Sequence, residues 1–518
     1  ETTGQVEKRA YNTSLVKLLY SFLFSMDSDI DFGWQAVDSA ERVVVKLGGD
    51  NATLFEENVG FVKGLTESGK KVALVVSAAR SSDLSTAIFN HQEVEKGNVG
   101  FNTTTHLIAL AKLVKDREDG NPIIAYGIQE SIKAFFTHII DTKMADNPHH
   151  AALKEVIEQE FGHLHKIVGQ AITLRHIGHE NRFFSQGADH MFSADDGSIF
   201  SFTGFGEELT AALYDVLLAP DGDTTVRLNT MPIQKKIFGR NPNKAIENVR
   251  ITDRVIAEVR DAIVALLSAD THVCVVPGRL PGAAESRGYS DVAASIVAVA
   301  TQGLPFIAKQ STIRTADPRK CPDARVVREM GASLAVEAFG TSGANAKAMH
   351  PDAMRLLSRA SIEVVVGNPQ DRSSCSTLIH KRGEAVSCAE PKLIAIKDVP
   401  TVITIKSESM ADHEGVMSHL TDLVKQYGIA DIYTTDASVT FTFNEEVGKL
   451  AIQKLKRYMK GIDAGSVVKT REDQAMIYCL GDDMNSLEVL ARGASILKRE
   501  NILSTAAQQN GGLVVKFL

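Results

Sequence analysis

The 518-residue chain is 44% hydrophobic and 23% charged, values of an ordinary globular protein with material for more than one domain. Sixty-four acidic residues against 56 basic ones give a formal charge of −8, and no long basic run offsets it, so nucleic acid is not expected as the main partner. Five cysteines, Cys274, Cys321, Cys375, Cys388 and Cys479, contain no CxxC pair and read as free thiols of a reducing, cytoplasmic compartment.

In chain order the first apolar stretch is "SLVKLLYSFLFSM" from Ser14 to Met26. Its apolar part is too short to cross a bilayer, and Lys17 interrupts it. No small-residue cleavage site follows, so neither a membrane span nor a leader is expected. Met26, ahead of "DSDIDF", is a candidate natural start, and residues 1–40 are read as an extension.

"ERVVVK" (41–46) is a β-branched strand running into the glycine turn "LGGDN". A helical pattern over 53–68 and a second buried strand, "KKVALVVSAAR", follow. Residues 81–200 are mostly helical by pattern. Then come a strand "THVCVVPG" (271–278), a helix "DVAASIVAVATQG" (291–303), a short strand "PFIAKQ" (305–310) and a strand "SIEVVVGN" (361–368). Apolar strands alternating with helices predict an α/β domain with a mainly parallel sheet over 41–385. From 398 to 518 the pattern changes. "TVITIK" (401–406), a helix over 411–427, two strands and a helix over 444–460 are followed by "AMIYCLG" (475–481), a helix over 483–500 and "GGLVVKFL" (511–518). This reads as two βαββαβ units.

Several short stretches have two readings each. In "VVVKLGGD", Gly48 and Gly49 let backbone amides approach phosphate oxygens, with Lys46 neutralising their charge; an ordinary strand-to-helix turn explains the same residues. "GFGEELT" sets Glu207 at a helix start, either as a first-turn carboxylate favoured by the helix dipole or as a partner for a substrate ammonium. In "ESRGYSD", Ser290 or Asp291 caps the following helix, but capping needs no Arg287, which is well placed to clamp a carboxylate. "TADPR" offers Asp317 and Arg319 for a nucleotide or for a surface turn, and Lys347 in "NAKAMHP" precedes a His-Pro helix start, where a solvated lysine is the ordinary reading. Seven of the histidines fall between 149 and 190, including the pair His176 and His179; without a third ligand they read as surface and packing residues, and no protein-held metal is expected.

The order of these stretches carries more than any one of them. Lys-x-Gly-Gly, "VVSAARSS", Gly-Glu-x-x-Thr, Arg-Gly-x-Ser-Asp, "TADPR", Ala-Lys-x-x-His-Pro and "STLI" ahead of two small α/β repeats resemble the aspartokinase family of the fungal type, across about residues 41–518. The resemblance implies an amino acid kinase fold with tandem ACT units. It also implies transfer of phosphate from MgATP to the side-chain carboxylate of L-aspartate, with Mg2+ carried by the nucleotide. By position, Lys46, Gly48 and Gly49 match phosphate contacts, and Asp291 matches the acidic residue that organises transfer. Glu207 matches the residue holding the substrate amine, and Arg287 with Ser290 the carboxylate clamp. Ser85 or Thr86 falls near a substrate-binding threonine, and Asp317, Arg319 and Lys347 match nucleotide contacts. An amino-acid effector and a homo-oligomer are implied by the ACT units. The chain departs from the family at Asp50-Asn51, where Thr-Ser is usual, at Ser311-Thr312 and at Arg314. Those departures give a second reading, an impaired relative acting as a regulatory or amino-acid-binding subunit.

Overall fold

The computed structural model describes residues 31–81, 101–115, 122–176, 191–193, 199–201, 204–219, 225–230, 232–233, 253–267, 271–280, 289–340, 348–384, 391–410, 412–435, 437–443, 446–482, 484–500, 502, 504, 507–510 and 514–517. They divide into two compact units that interleave along the chain. One comprises Ile30–Ile313 and Ala348–Glu384; the other takes Arg314–Lys347 and Ala385–Leu518.

In the first unit, helix α1 (Phe32–Ser39) precedes strand β1 (Arg42–Leu47), helix α2 (Phe55–Glu67) and strand β2 (Lys71–Val76). Three helices follow, α3 (Thr103–Lys115), α4 (Pro122–Lys143) and α5 (His150–His176), then α6 (Phe205–Leu218), β3 (Thr225–Arg227), α7 (Asp253–Leu266) and β4 (Val273–Pro277). Helix α8 (Tyr289–Thr301) and strand β5 (Leu304–Ala308) complete the first segment; α9 (Pro351–Arg359), β6 (Val364–Gly367) and β7 (Thr377–His380) form the second.

The main sheet of this unit runs β7-β6-β5-β1-β2-β4-β3. All pairings are parallel except β6 with β7. The inner strands are buried on both faces, which is why they read as continuous Val and Ala runs rather than alternating ones. From β1 the chain builds outward to β2 on one side, and it later returns to place β5 on the other. In open parallel sheets such a reversal opens a crevice at the carboxyl ends of the strands.

Helix α1 belongs to this core, so the compact unit begins ahead of residue 41. Asp31 accepts from the backbone N–H groups of Gly33 and Trp34 at 3.1 and 3.2 Å, and from Ser376 N–H at 2.8 Å. Trp34 is buried against Phe306 of β5, ring centroids 5.2 Å apart. Burial of such a side chain contributes about 2–3 kcal/mol.

In the second unit β8 (Leu393–Lys406), α10 (Val416–Val424), β9 (Ile429–Thr435), β10 (Ser438–Phe443), α11 (Lys449–Ile462), β11 (Val467–Leu480), α12 (Ser486–Arg499), β12 (Ala507–Asn510) and β13 (Val514–Phe517) form one six-stranded antiparallel sheet, order β9-β10-β8-β11-β13-β12. Two 14-residue strands, β8 and β11, pair from Leu393↔Leu480 to Lys406↔Val467. The end of β8 carries β10, and the end of β11 carries β13. Helices α10 and α11 cover one core, around Phe441, Phe443 and Leu455, and α12 covers a second, around Ile394, Cys479 and Phe517. The two βαββαβ-like units therefore share their longest strands.

Candidate active site

The carboxyl ends of β1, β2, β4 and β5 and the start of α8 surround a cavity of about 450 Å³ within the first unit. Lys46, the penultimate residue of β1, is buried, and its ammonium pairs with Asp291 Oδ1 at the first turn of α8. Asp291 Oδ2 accepts the backbone N–H of His350 at 2.8 Å. The carboxylate therefore ties β1, α8 and the turn before α9 together. Ser290, beside it, shares a 2.5 Å hydrogen bond with Ser77 after β2.

The glycine turn after β1 is held from several sides. Gly49 faces the loop after β2 so closely that a Cβ there would lie 3.1 Å from the carbonyl of Ala78 and 2.8 Å from Cγ of Arg80. Arg80 N–H donates to Gly49 O at 3.1 Å. Its guanidinium donates from Nε and Nη2 to Asp50 Oδ2, at 2.8 and 2.5 Å. The Asp50 carboxylate thus arrives with its own counter-charge. Asn51 is buried and donates to the Ala308 carbonyl at 2.8 Å, fastening the turn to the end of β5.

Glu207, in the first turn of α6, lines the same cavity. Its Oε2 is buried with no hydrogen-bond donor. Burial pushes its pKa up to about 7, opposed first by the Arg279 charge and then by backbone N–H bonds from Glu207 itself and Ala78. Gly206 before it has no room for a side chain: a Cβ would sit 2.7 Å from that of Ala78 and 2.9 Å from Thr103 Cγ2. Across the cavity, burial lowers the Lys309 ammonium to about 8, helped by the like charge of Lys46.

Lys46, Gly48, Gly49, Glu207, Ser290 and Asp291 thus meet around one cavity. Arg287, Lys347, Ser85 and Thr86 lie outside the described residues. Asp317 and Arg319 belong to the other unit, where they pair bidentately at 3.0 Å in each arm, with Asp317 buried and Arg319 exposed. His176 closes α5, and its proposed partner His179 is outside the described residues. Among the other histidines, His150 bonds Asp141 and His165 stacks on Tyr126. Lys309, Arg80, Arg279 and Tyr289 line the cavity without having been singled out from sequence. One signal was available for Lys309: "PFIAK" ends an apolar strand in lysine as "VVVK" does, and the two strands are parallel neighbours.

The model of the amino acid kinase family matches residues 41–368, which takes in the strands around this cavity. The chain belongs to the amino acid kinase family. This amino acid kinase is 25% identical over 469 residues to the aspartokinase of Candida albicans, an alignment covering 82% of this chain and 76% of that protein. Its fold is shared with E. coli aspartokinase III. The structure of that enzyme with lysine and aspartate aligns with a TM-score of 0.60 at 18% identity, over 92% of this chain and 96% of the other. The structure with aspartate and ADP aligns at 0.58 and 18%, with the same coverage.

Proposed function

We propose that this amino acid kinase transfers the γ-phosphoryl group of ATP to the side-chain carboxylate of L-aspartate, forming 4-phospho-L-aspartate and ADP. The observation that carries this reading is one cavity lined by both the Lys46–Asp291 pair and Glu207, whose Oε2 is buried without a hydrogen-bond donor. Lys46 and Lys309 place positive charge where phosphates would lie, and Glu207 offers a site for an ammonium group. A carboxylate oxygen of the substrate attacks the γ-phosphorus, the bond to the bridging oxygen breaks, and that electron pair leaves with ADP. No protein nucleophile is needed, so positioning and charge neutralisation supply the catalysis. Mg2+ bound to the nucleotide would screen part of the phosphate charge. The ion pair from Arg80 offsets Asp50 and so removes the electrostatic objection to a carboxylate in the phosphate turn.

Further parts of this reading are a cytoplasmic enzyme and oligomerisation through the six-stranded unit, with an amino-acid effector there. Four cysteines are thiols in the described residues, and no described helix is long and apolar enough to cross a membrane.

Hydroxylamine trapping of the acyl phosphate tests the activity. L-aspartate-dependent hydroxamate is expected with MgATP, falling by about a thousandfold in Lys46→Ala. Product that does not depend on L-aspartate, or a folded Lys46→Ala protein with unchanged turnover, would refute the assignment.

A further inference from the structure

The first unit carries a second group of ligating side chains, far from the chemistry described above. Strand β6 runs parallel to β5, so Glu363, which precedes its first residue, lies at the opposite end of the sheet from the cavity. Strand β7 runs back antiparallel with Ile379 opposite Val364, and this register sets His380 across from Glu363.

A turn then brings in a third residue. Glu384 N–H donates to Lys381 O at 3.3 Å, and Gly383 between them takes φ +92°, a left-handed conformation open to glycine. The turn returns Glu384 to His380. Nδ1 of His380 lies 3.5 Å from Glu384 Oε2 and 4.0 Å from Glu363 Oε1. One donor atom from each residue lies within 4.8 Å of the other two. No metal-ligand spacing marks these residues in the sequence, since a strand pairing brings Glu363 to His380.

The separations exceed the roughly 2.7–3.2 Å of an N–H···O hydrogen bond, and one ring N–H points at only one of the two carboxylates. They approach the donor-to-donor spacing of about 3.3–3.6 Å around a tetrahedral ion with bonds of about 2.0–2.2 Å. A cation between the three atoms meets all of them at once. Lys381 Nζ holds the other Glu384 oxygen, Oε1, at 2.8 Å, which fixes the carboxylate with Oε2 toward His380. One imidazole nitrogen and two carboxylate oxygens suit a borderline divalent ion, Zn2+ above all, whereas Mg2+ and Ca2+ favour oxygen-only shells. His380 and Glu363 are half-buried and Glu384 is exposed, so water can complete the shell.

We propose that Glu363, His380 and Glu384 form a Zn2+ site that clamps the β6–β7 pair to the turn where the chain leaves the first unit. The ion is structural, since none of its ligands lines the cavity. The site does not depend on the aspartate kinase reading.

Titration calorimetry of the chelator-stripped, full-length protein with ZnCl2 tests it. One Zn2+ per chain is expected to bind at micromolar concentration and to raise the Tm, and millimolar Mg2+ should not displace it. His380→Gln, Glu363→Gln and Glu384→Gln should each weaken Zn2+ by about tenfold or more and remove most of the Tm rise. X-ray absorption at the zinc edge should show a single imidazole and no sulfur, which separates this site from the free thiols. Should His380→Gln fail to fold, Glu384→Gln, in an exposed turn, carries the comparison. An unsubstituted protein that takes up no Zn2+ below about a millimolar overturns the proposal. So does Zn2+ affinity that the folded variants keep in full, sulfur among the ligands, or Mg2+ binding as tight as Zn2+ binding.

Discussion

Glu207 and Lys309 set opposite limbs of a pH profile. The Glu207 carboxyl, raised to about 7, is neutral in acid and attracts an ammonium only once ionised. Lys309, lowered to about 8, is charged near neutrality and loses its proton in mild alkali. Activity at limiting substrate is therefore expected to rise through pH 7 and fall beyond pH 8, a narrow bell. Glu207→Gln should flatten the acid limb and Lys309→Met the alkaline one, as read from kcat/KM between pH 5.5 and 9.5. The neighbouring Glu208, which accepts from Thr230 at 3.0 Å, is also pushed by burial to about 7. Its folded-state value lies above the unfolded one. It therefore imposes no penalty below about pH 4.5 and its full penalty above about 7. Glu208→Gln should accordingly raise the Tm at pH 8 and leave it nearly unchanged at pH 4.5.

At the scale of elements the site depends on backbones that come too close for side chains. Gly206, Gly278 and Gly49 bring α6, β4 and the turn after β1 against their neighbours. Gly278→Ala forces a methyl onto the Val76 carbonyl and is expected to cost about 1–3 kcal/mol in denaturant unfolding. The alternation of apolar strands and helices was enough to read the parallel sheet, and Lys46, Glu207, Ser290 and Asp291 were legible because each sits in a short motif at an element's end. Arg279, Arg80 and Lys309 were not, because a lone cation after a strand looks like a solvated one until the neighbouring strand is known. Pro400 hid a different feature. It has no N–H to donate, so the strand reads as starting at Thr401, yet the ladder steps over it and β8 begins at Leu393. The sole tryptophan, Trp34, was passed over because the 31–40 segment is short and mixed in polarity; what holds it is a cap from Asp31 and a contact with a strand distant in sequence.

At the scale of the whole molecule, the six-stranded sheet ends in strands β9 and β12, whose outer backbone groups are not paired within the described sheet. Such edges are covered in stable proteins, and pairing between chains is one way to do it. Size-exclusion chromatography with light scattering is expected to report at least a dimer at micromolar concentration; a clean monomer would count against the proposed assembly.

The interleaving of the two units has a consequence for the chain's history and its handling. Ala316, Cys321 and Ala324 come from a segment that precedes α9, yet they are buried with Ile394, Ile477 and Val515 from beyond residue 385. No single cut severs one unit from the other. A protein ended near residue 385 would carry those three side chains with their apolar cover stripped away, so a half-length version should aggregate rather than behave as a free-standing kinase. Recombination would meet the same obstacle: two units interleaved along one chain cannot be exchanged as cassettes, and the two are expected to have been inherited together.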